Sequence, residues 1–262
     1  MKIVVCIKQV PGTTNVKIDP ETNTLVRQGV ESQINPFDLY ALEEAVRIKE
    51  RLNDDSTVAV LSMGPPQVEE ALREAITLGA DEAYLLSDRA FAGADTWATS
   101  YALAAGLKKL EADLVLCGMQ AIDGDTAQTG PGITVHENYT LATYVSSVDE
   151  IDNKKAKVKR LLEEGYEVCE IKLPALFTVV KEINEPRTPS IRGKMKAKNA
   201  EITVWTAEGL GLDADKCGLK GSPTQVVKVF SPEHRAGGEK HEGETPDLAQ
   251  KMLEILRERI TV

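Results

Sequence analysis

The chain has 262 residues, 42% of them hydrophobic, and a formal net charge of −10. That length and apolar content suit one large globular α/β domain with appendages, or two small ones, around a real core. The acidic balance argues against a general nucleic-acid binder, whose affinity for phosphate backbones rests on clustered Lys and Arg.

The first apolar run, Ile3 to Val10, reads as a buried strand. It is too short for a secretory apolar region with its cleavage site and far too short to span a bilayer, so a cytoplasmic protein without membrane insertion is expected. Val16-Lys17-Ile18-Asp19 and Thr24-Leu25-Val26-Arg27 flank Pro20-Glu21-Thr22-Asn23, which predicts a β-hairpin inserted near residues 15–30. Asn35-Pro36 sets an N-cap before a proline at the first helical position, and Leu39, Leu42 and Val46 line one side of a helix running to about Leu52. Val58 to Met63 is the next strand, and Pro65-Pro66 opens a second helix with Val68, Leu72 and Ile76 on one face and Gly79 as its stop. Ala83 to Ser87 is a third strand. Asp95 caps a third helix carrying Leu103, Leu107 and Leu110, and Leu114 to Gly118 follows as a fourth strand. This alternation predicts an α/β fold: a parallel sheet with helices on both faces, whose ligands bind beyond the carboxyl ends of the strands, near Lys8, Met63-Gly64 and Gly118.

The stretch after Gly118 carries the most chemistry. Asp123-Gly124-Asp125-Thr126-Ala127-Gln128-Thr129-Gly130 collects glycine, hydroxyl and amide groups that can wrap a nucleotide's phosphates and ribose, although the same residue types also make an ordinary strand-to-helix turn. Gly130-Pro131 discourages helix before Pro131, so the stretch is predicted to stay a loop. Two aspartates would repel a pyrophosphate. Phosphate contacts are therefore assigned to backbone N–H groups with Thr126, Gln128 and Thr129, and Asp123 and Asp125 to ribose hydroxyls or to pinning the loop.

Further along, Val158, Leu161, Val168, Ile171 and Leu173 predict strands, and Leu176 to Val180 a last buried one. Residues Glu182 to Lys198 read as an irregular basic loop, with Pro186 and Pro189 among Arg187, Arg192, Lys194, Lys196 and Lys198. Such a charge run is commonly just a solvated surface. Here the apolar Ile191 sits among the charges, which suits docking: the cations speed encounter and the apolar side chain fills a pocket. Gly209, Gly211, Gly218, Gly221 and Pro223 predict an extended arm, ending in a terminal helix with Leu248, Met252, Ile255 and Leu256 on one face. An arm of this kind requires a partner surface.

Several chemistries lack their signatures. There is no G-x-x-x-x-G-K-[ST], and Gly209-Leu210-Gly211 has neither a third glycine in register nor a predicted strand before it. No G-x-S-x-G elbow or recognisable acid–base carboxylate pair is present, and catalytic residues are not assigned. Cys6, Cys117, Cys169 and Cys217 stand far apart, and the three histidines lack a chelating spacing, so no metal site is expected.

With these residues assembled, nearly the whole chain resembles the beta subunit of an electron transfer flavoprotein. The matching stretches are Val4 to Val10, Ile34 to Asp38, Ala41 to Ala45, Met63-Gly64-Pro65, Leu78 to Asp81, Gln120 to Gly130, and Asn184 to Arg187 through Met195 to Lys198. Ser87 to Thr96 and Ala121 to Gln128 are similar to the electron-bifurcating members. The resemblance implies an adenine nucleotide alpha hydrolase-like fold divided into a nucleotide-binding domain (residues 1–183), a recognition loop (184–200), and an arm with a terminal helix that packs on an alpha subunit (201–262). It implies FAD, or alternatively structural AMP, held by Cys6, Asn35, Pro36, Phe37, Asp38, Met63, Gly64, the Asp123 to Gly130 loop and Thr134. It further implies NADH as donor, ferredoxin or flavodoxin as one acceptor, and the alpha subunit's FAD as the other. That FAD exchanges electrons with a partner flavin dehydrogenase. Arg89, Gly93, Asp95 and Thr96 are assigned to the flavin ring or NADH pocket, and Arg187, Ile191, Arg192, Lys194 and Lys196 to docking. Ile191-Arg192-Gly193-Lys194 is more basic than the corresponding run in conventional members, which points away from a conventional acyl-CoA dehydrogenase. A stand-alone adenine-nucleotide-binding regulator is the alternative of another class, and it would need neither the basic loop nor the arm.

Overall fold

The computed structural model describes residues 1–12, 32–227 and 237–259. In chain order the elements are β1 (Lys2–Cys6), β2 (Gln9–Pro11), β3 (Ser32–Ile34), α1 (Pro36–Leu52), β4 (Thr57–Met63), α2 (Glu69–Thr77), β5 (Glu82–Leu86), α3 (Thr96–Lys109), β6 (Leu114–Gly118) and α4 (Thr129–His136). They continue with β7 (Thr140–Ile151), β8 (Lys155–Leu162), β9 (Gly165–Lys172), β10 (Ala175–Val179), α5 (Ile191–Asn199), β11 (Ile202–Trp205) and α6 (Thr245–Arg259).

Nine strands form one sheet in the order β11-β5-β4-β1-β6-β10-β7-β8-β9. It is parallel from β11 through β7, and β8 pairs antiparallel with both β7 and β9. The strands of the parallel centre are buried on both faces because their side chains alternate between two cores. Ile3, Val5, Leu114, Leu116 and Phe177 meet Leu42, Val46, Leu72 and Ile76 of α1 and α2 on one side. Val4, Cys6, Leu61, Val115, Cys117 and Leu176 meet Leu103, Leu107 and Ile133 of α3 and α4 on the other. The α/β layout with helices on both faces is thus as the alternation predicts.

From β1 the chain steps to β4 and β5 on one side, and from β6 to β10 on the other. The loops leaving β1 and β6 therefore part in opposite directions, opening a crevice at the carboxyl edge between these strands.

Several expectations are corrected. The run from Ile3 to Val10 is two strands, not one: the chain turns at Lys8, whose N–H bonds the Asp38 carboxyl, and Gln9–Pro11 pairs with Ser32–Ile34 in a separate ribbon. The hairpin expected near residues 15–30 lies outside the described residues. Helix α4 starts at Thr129, two residues before Pro131. Glycine at position 130 has no Cβ to clash with the proline ring, and a first-turn proline needs no N–H partner. The stretch read as an irregular basic loop contains α5, capped by Ser190, whose Oγ accepts from Gly193 N–H at 2.9 Å. Its close packing on α2 requires Gly193, where a Cβ would stand 2.2 Å from the Thr77 carbonyl oxygen.

One compact unit spans Met1–Val227. Strand β11, which does precede Gly209-Leu210-Gly211, extends the sheet beside β5. Residues 217–224, expected in the extended arm, lie against the loop after β5, with Leu219 N–H bonded to the Ala92 carbonyl and Cys217 buried. Gly218 permits that approach, since a Cβ there would meet the Ala90 carbonyl oxygen at 2.3 Å. Beyond Val227, α6 half-buries Leu248 and Ile255 and leaves Met252, Leu253 and Leu256 exposed.

Candidate functional site

The crevice is built on buried polar groups that tie its two walls together. Asp38, in the first turn of α1, accepts from Lys8 N–H at 2.7 Å and from Gly118 N–H at 3.1 Å, joining the ends of β1 and β6. Burial outweighs these bonds and pushes its carboxyl up to about 7. Gly118 is required there: a Cβ would lie 2.5 Å from Asp38 Oδ1 and 2.6 Å from Phe37 Cβ. Asn35 is the N-cap residue of α1 by position, but its side chain makes no cap. Its amide instead donates to the Gln120 carbonyl at 2.9 Å and accepts from Ile122 N–H at 3.2 Å, holding the start of the 120–130 loop against α1.

The loop itself faces solvent from Ile122 to Thr126 and at Gln128. Gln120 Nε2 donates to Asp125 Oδ1 at 2.9 Å, and Lys8 Nζ stands 2.6 Å from Asp123 Oδ1. Asp125 (φ 48°) and Ala127 (φ 53°) are left-handed, and Gln128 after them is right-handed. A left-then-right-handed backbone turns successive N–H groups to one side and makes an anion-binding concavity. The first amides of α4, at Thr129 and Gly130, have no partner within their own helix and add to it. Nothing lies within 4 Å of a Cβ built at Gly124, so this side of the loop is open.

Cys6 ends β1 in register with Cys117 of β6, both on the α3–α4 side. The Cys117 thiol is pushed up first by its hydrogen bond with Cys6 and then by burial, so Cys117 is not an activated nucleophile. Met63 and Gly64 continue the carboxyl edge at β4, where Gly64 N–H bonds the Leu86 carbonyl. Thr134 turns its hydroxyl back to the Pro131 carbonyl of its own helix.

The loop after β5 leads into α3, which Ser100 ties to α4: its Oγ donates to the Thr96 carbonyl at 2.7 Å and the Thr129 carbonyl at 3.1 Å. Arg89 is exposed there, and Gly93 takes a left-handed φ of 73°. Asp95 caps α3 as expected, with Oδ1 accepting from Trp97 and Ala98 N–H, while Oδ2 accepts from Thr224 N–H and Oγ1. Both of its oxygens are thereby engaged within the chain.

The residues expected to dock divide into two sets. Arg187 binds Glu43 at 2.7 Å and Glu50 at 2.8 Å, and Lys196 binds Asp81 at 3.1 Å; these two fasten the segment to α1 and to the start of β5. Burial works to raise the Glu43 carboxyl, but hydrogen bonds from Arg187 and Arg47 hold it below its usual value. Next to it burial pushes Glu44 up, against a bond from Asn184. Ile191, Arg192 and Lys194 are left facing solvent, Ile191 with 81% of its surface exposed, and Met195 beside them with 67%.

The family profile described as "Electron transfer flavoprotein domain" matches residues 22–210. The chain belongs to the electron transfer flavoprotein family. It is 53% identical over 261 residues to the caffeyl-CoA reductase-Etf complex subunit CarD of Acetobacterium woodii, covering 99% of each chain. It is 52% identical over 260 residues to the electron transfer flavoprotein subunit beta of Thermoanaerobacterium thermosaccharolyticum, again over 99% of each. Protein FixA of Azotobacter vinelandii is 46% identical over 264 residues, with 97% of this chain and 93% of that protein covered.

The chain is thus an electron transfer flavoprotein beta subunit. Among the described residues no group of three or more His, Cys, Asp or Glu is placed to hold a metal ion, and no helix is long and apolar enough to cross a membrane. Reading the sequence named Lys8 and Gly118 only as places where loops leave the sheet and Gln120 only as part of a matching stretch, without their roles, and it missed Ser100. Each acts across a gap in the chain; the Lys8–Asp123 pair, for example, spans 115 residues. Lys8, two residues past β1, and Gly118, which ends β6, are marked locally by their place at the carboxyl edge of the sheet and by nothing else.

Proposed function

We propose that this beta subunit works in a heterodimer with an alpha subunit, and that the β1–β6 crevice holds the adenylate half of an FAD in an electron-bifurcating complex. When bound, that cofactor supplies acceptance of hydride from NADH and release of single electrons, one to ferredoxin or flavodoxin and one to the alpha subunit's FAD. The observation that carries the reading is the crevice itself. It lies where the strand order reverses, its walls are joined through Asn35 and Asp38, and its loop turns amides to one side.

The chain's own residues divide the work. Backbone amides of residues 127–130, with the hydroxyls of Thr126 and Thr129 and the Gln128 amide, hold phosphate. Asp123 and Asp125 accept from ribose hydroxyls. Cys6, Phe37 and Met63 floor the site, and Arg89, Gly93 and Thr96, joined to it through α3 and α4, border the ring and NADH. The solvent-facing Ile191, Arg192 and Lys194 dock a partner flavin dehydrogenase, with Arg187 and Lys196 fixing their presentation.

The test is a count of flavin and AMP in the heterodimer purified with its alpha subunit. Two FAD per heterodimer and no AMP is the expected result. One FAD with one AMP would overturn bifurcation and leave a conventional electron carrier with structural AMP.

A further inference from the structure

Lys8 is the only cation among residues 7–9 and 119–130, which border the crevice. Its backbone is fixed from both sides: its N–H donates to Asp38 at 2.7 Å, and its carbonyl accepts from Asn35 N–H at 2.8 Å. The side chain is less confined. It reaches Asp123 Oδ1 at 2.6 Å with half of its surface in solvent. An ion pair this exposed adds little to stability, so the fold does not depend on it. Asp123 opens the same loop in which Ala127 and Gln128 turn their amides to one side.

We propose that Lys8 is the phosphate-binding cation of the crevice and that Asp123 holds it in reserve. The ligand's phosphate takes the ammonium group from Asp123, and the freed carboxylate accepts from the ribose hydroxyls. No covalent bond changes; one oxyanion replaces another on Nζ. The inference rests on the nucleotide reading given above, and it answers the charge problem of an acidic loop around a phosphate. Asp125 is already engaged by Gln120, and Lys8 supplies the positive charge that no residue within the loop provides. Lysine suits the exchange because it is a point charge on a flexible stem, able to swing between two acceptors without the planar fit that arginine demands.

The experiment is a calorimetric titration of AMP, ADP and adenosine into the full chain, co-purified with its alpha subunit and freed of bound nucleotide. It is run on wild type, Lys8→Met and Lys8→Arg. Lys8→Met is expected to lose about tenfold to a hundredfold in AMP and ADP affinity while keeping its adenosine affinity, and Lys8→Arg to recover most of the loss. Wild-type affinity for AMP, unlike that for adenosine, falls as salt is added. Unchanged AMP affinity in Lys8→Met overturns the role given to Lys8 and leaves the nucleotide site standing. Equal losses of AMP and adenosine overturn it too, since Lys8 would then only position the loop. A wild-type heterodimer that binds none of the three ligands overturns the nucleotide reading, and the role of Lys8 with it.

Discussion

Replacing Asp38 by asparagine tests whether a buried carboxyl that keeps its proton holds the crevice together. The Asp38 carboxyl is 6% exposed and sits at about 7 instead of 3.8. Between those values the folded chain keeps a proton that the unfolded chain has released, so this group's contribution to stability falls as pH rises. At roughly 1.4 kcal/mol per unit the whole window amounts to about 4 kcal/mol, and the part between about pH 5 and about pH 8 to roughly 3 kcal/mol. Asparagine does not titrate. It offers one acceptor oxygen to the N–H groups of Lys8 and Gly118, and the N–H left without a partner costs about 1–3 kcal/mol at every pH. The variant should therefore be the less stable protein at about pH 5, and its deficit should shrink or reverse by roughly 3 kcal/mol at about pH 8. Urea unfolding of both proteins at the two pH values, without cofactor, measures this difference, and contributions from every other titrating group cancel in it. A deficit that stays constant within about 1 kcal/mol would refute the placement of a neutral Asp38 under the crevice.

Gly118→Ala forces a Cβ to within 2.5–2.7 Å of Asp38 and Phe37, and should destabilise the chain by about 3 kcal/mol and empty the nucleotide site; thermal unfolding and cofactor content report both. Arg187→Ala leaves the buried Glu43 with Arg47 alone, so a loss of about 2 kcal/mol is expected together with slower electron transfer to the dehydrogenase. Steady-state transfer rates compared with chemical unfolding separate the two effects. Ile191→Ala should slow transfer about tenfold with flavin content and unfolding midpoint unchanged, because the side chain is 81% exposed. Unchanged transfer would remove the docking role of α5.

Much of the fold is legible locally. Asn35-Pro36 and the spacing of Leu42 and Val46 mark α1, which ends at Leu52 as the pattern predicts, and Asp95 announces α3 with a true side-chain cap. What stays hidden is set by distant contacts. Helix α5 has two prolines before it and a cationic surface, and it depends on Gly193 against Thr77 and on the burial of Ala197. Strand β11 is four residues long and is fixed by its pairing with β5. Asn35 looks like a cap by position but serves the 120–130 loop, a choice made by residues 85 and 87 positions further on. In the crevice, glycines, amides and hydroxyls are visible as a composition, while the lysine paired with Asp123 comes from the turn after β1.

Helix α1 begins under the crevice with Asn35 and Asp38. About two turns later Glu43 and Glu44 grip Arg187 and Asn184 of the docking segment. At roughly 1.5 Å per residue the two attachments stand about 10 Å apart along a single rod. The crevice proposed to hold cofactor and the segment proposed to dock are thus bolted to the same beam, and their spacing does not change while that beam is intact. On the proposed reading, motion that brings redox centres together and apart would then fall to a partner, with this subunit as the fixed bench.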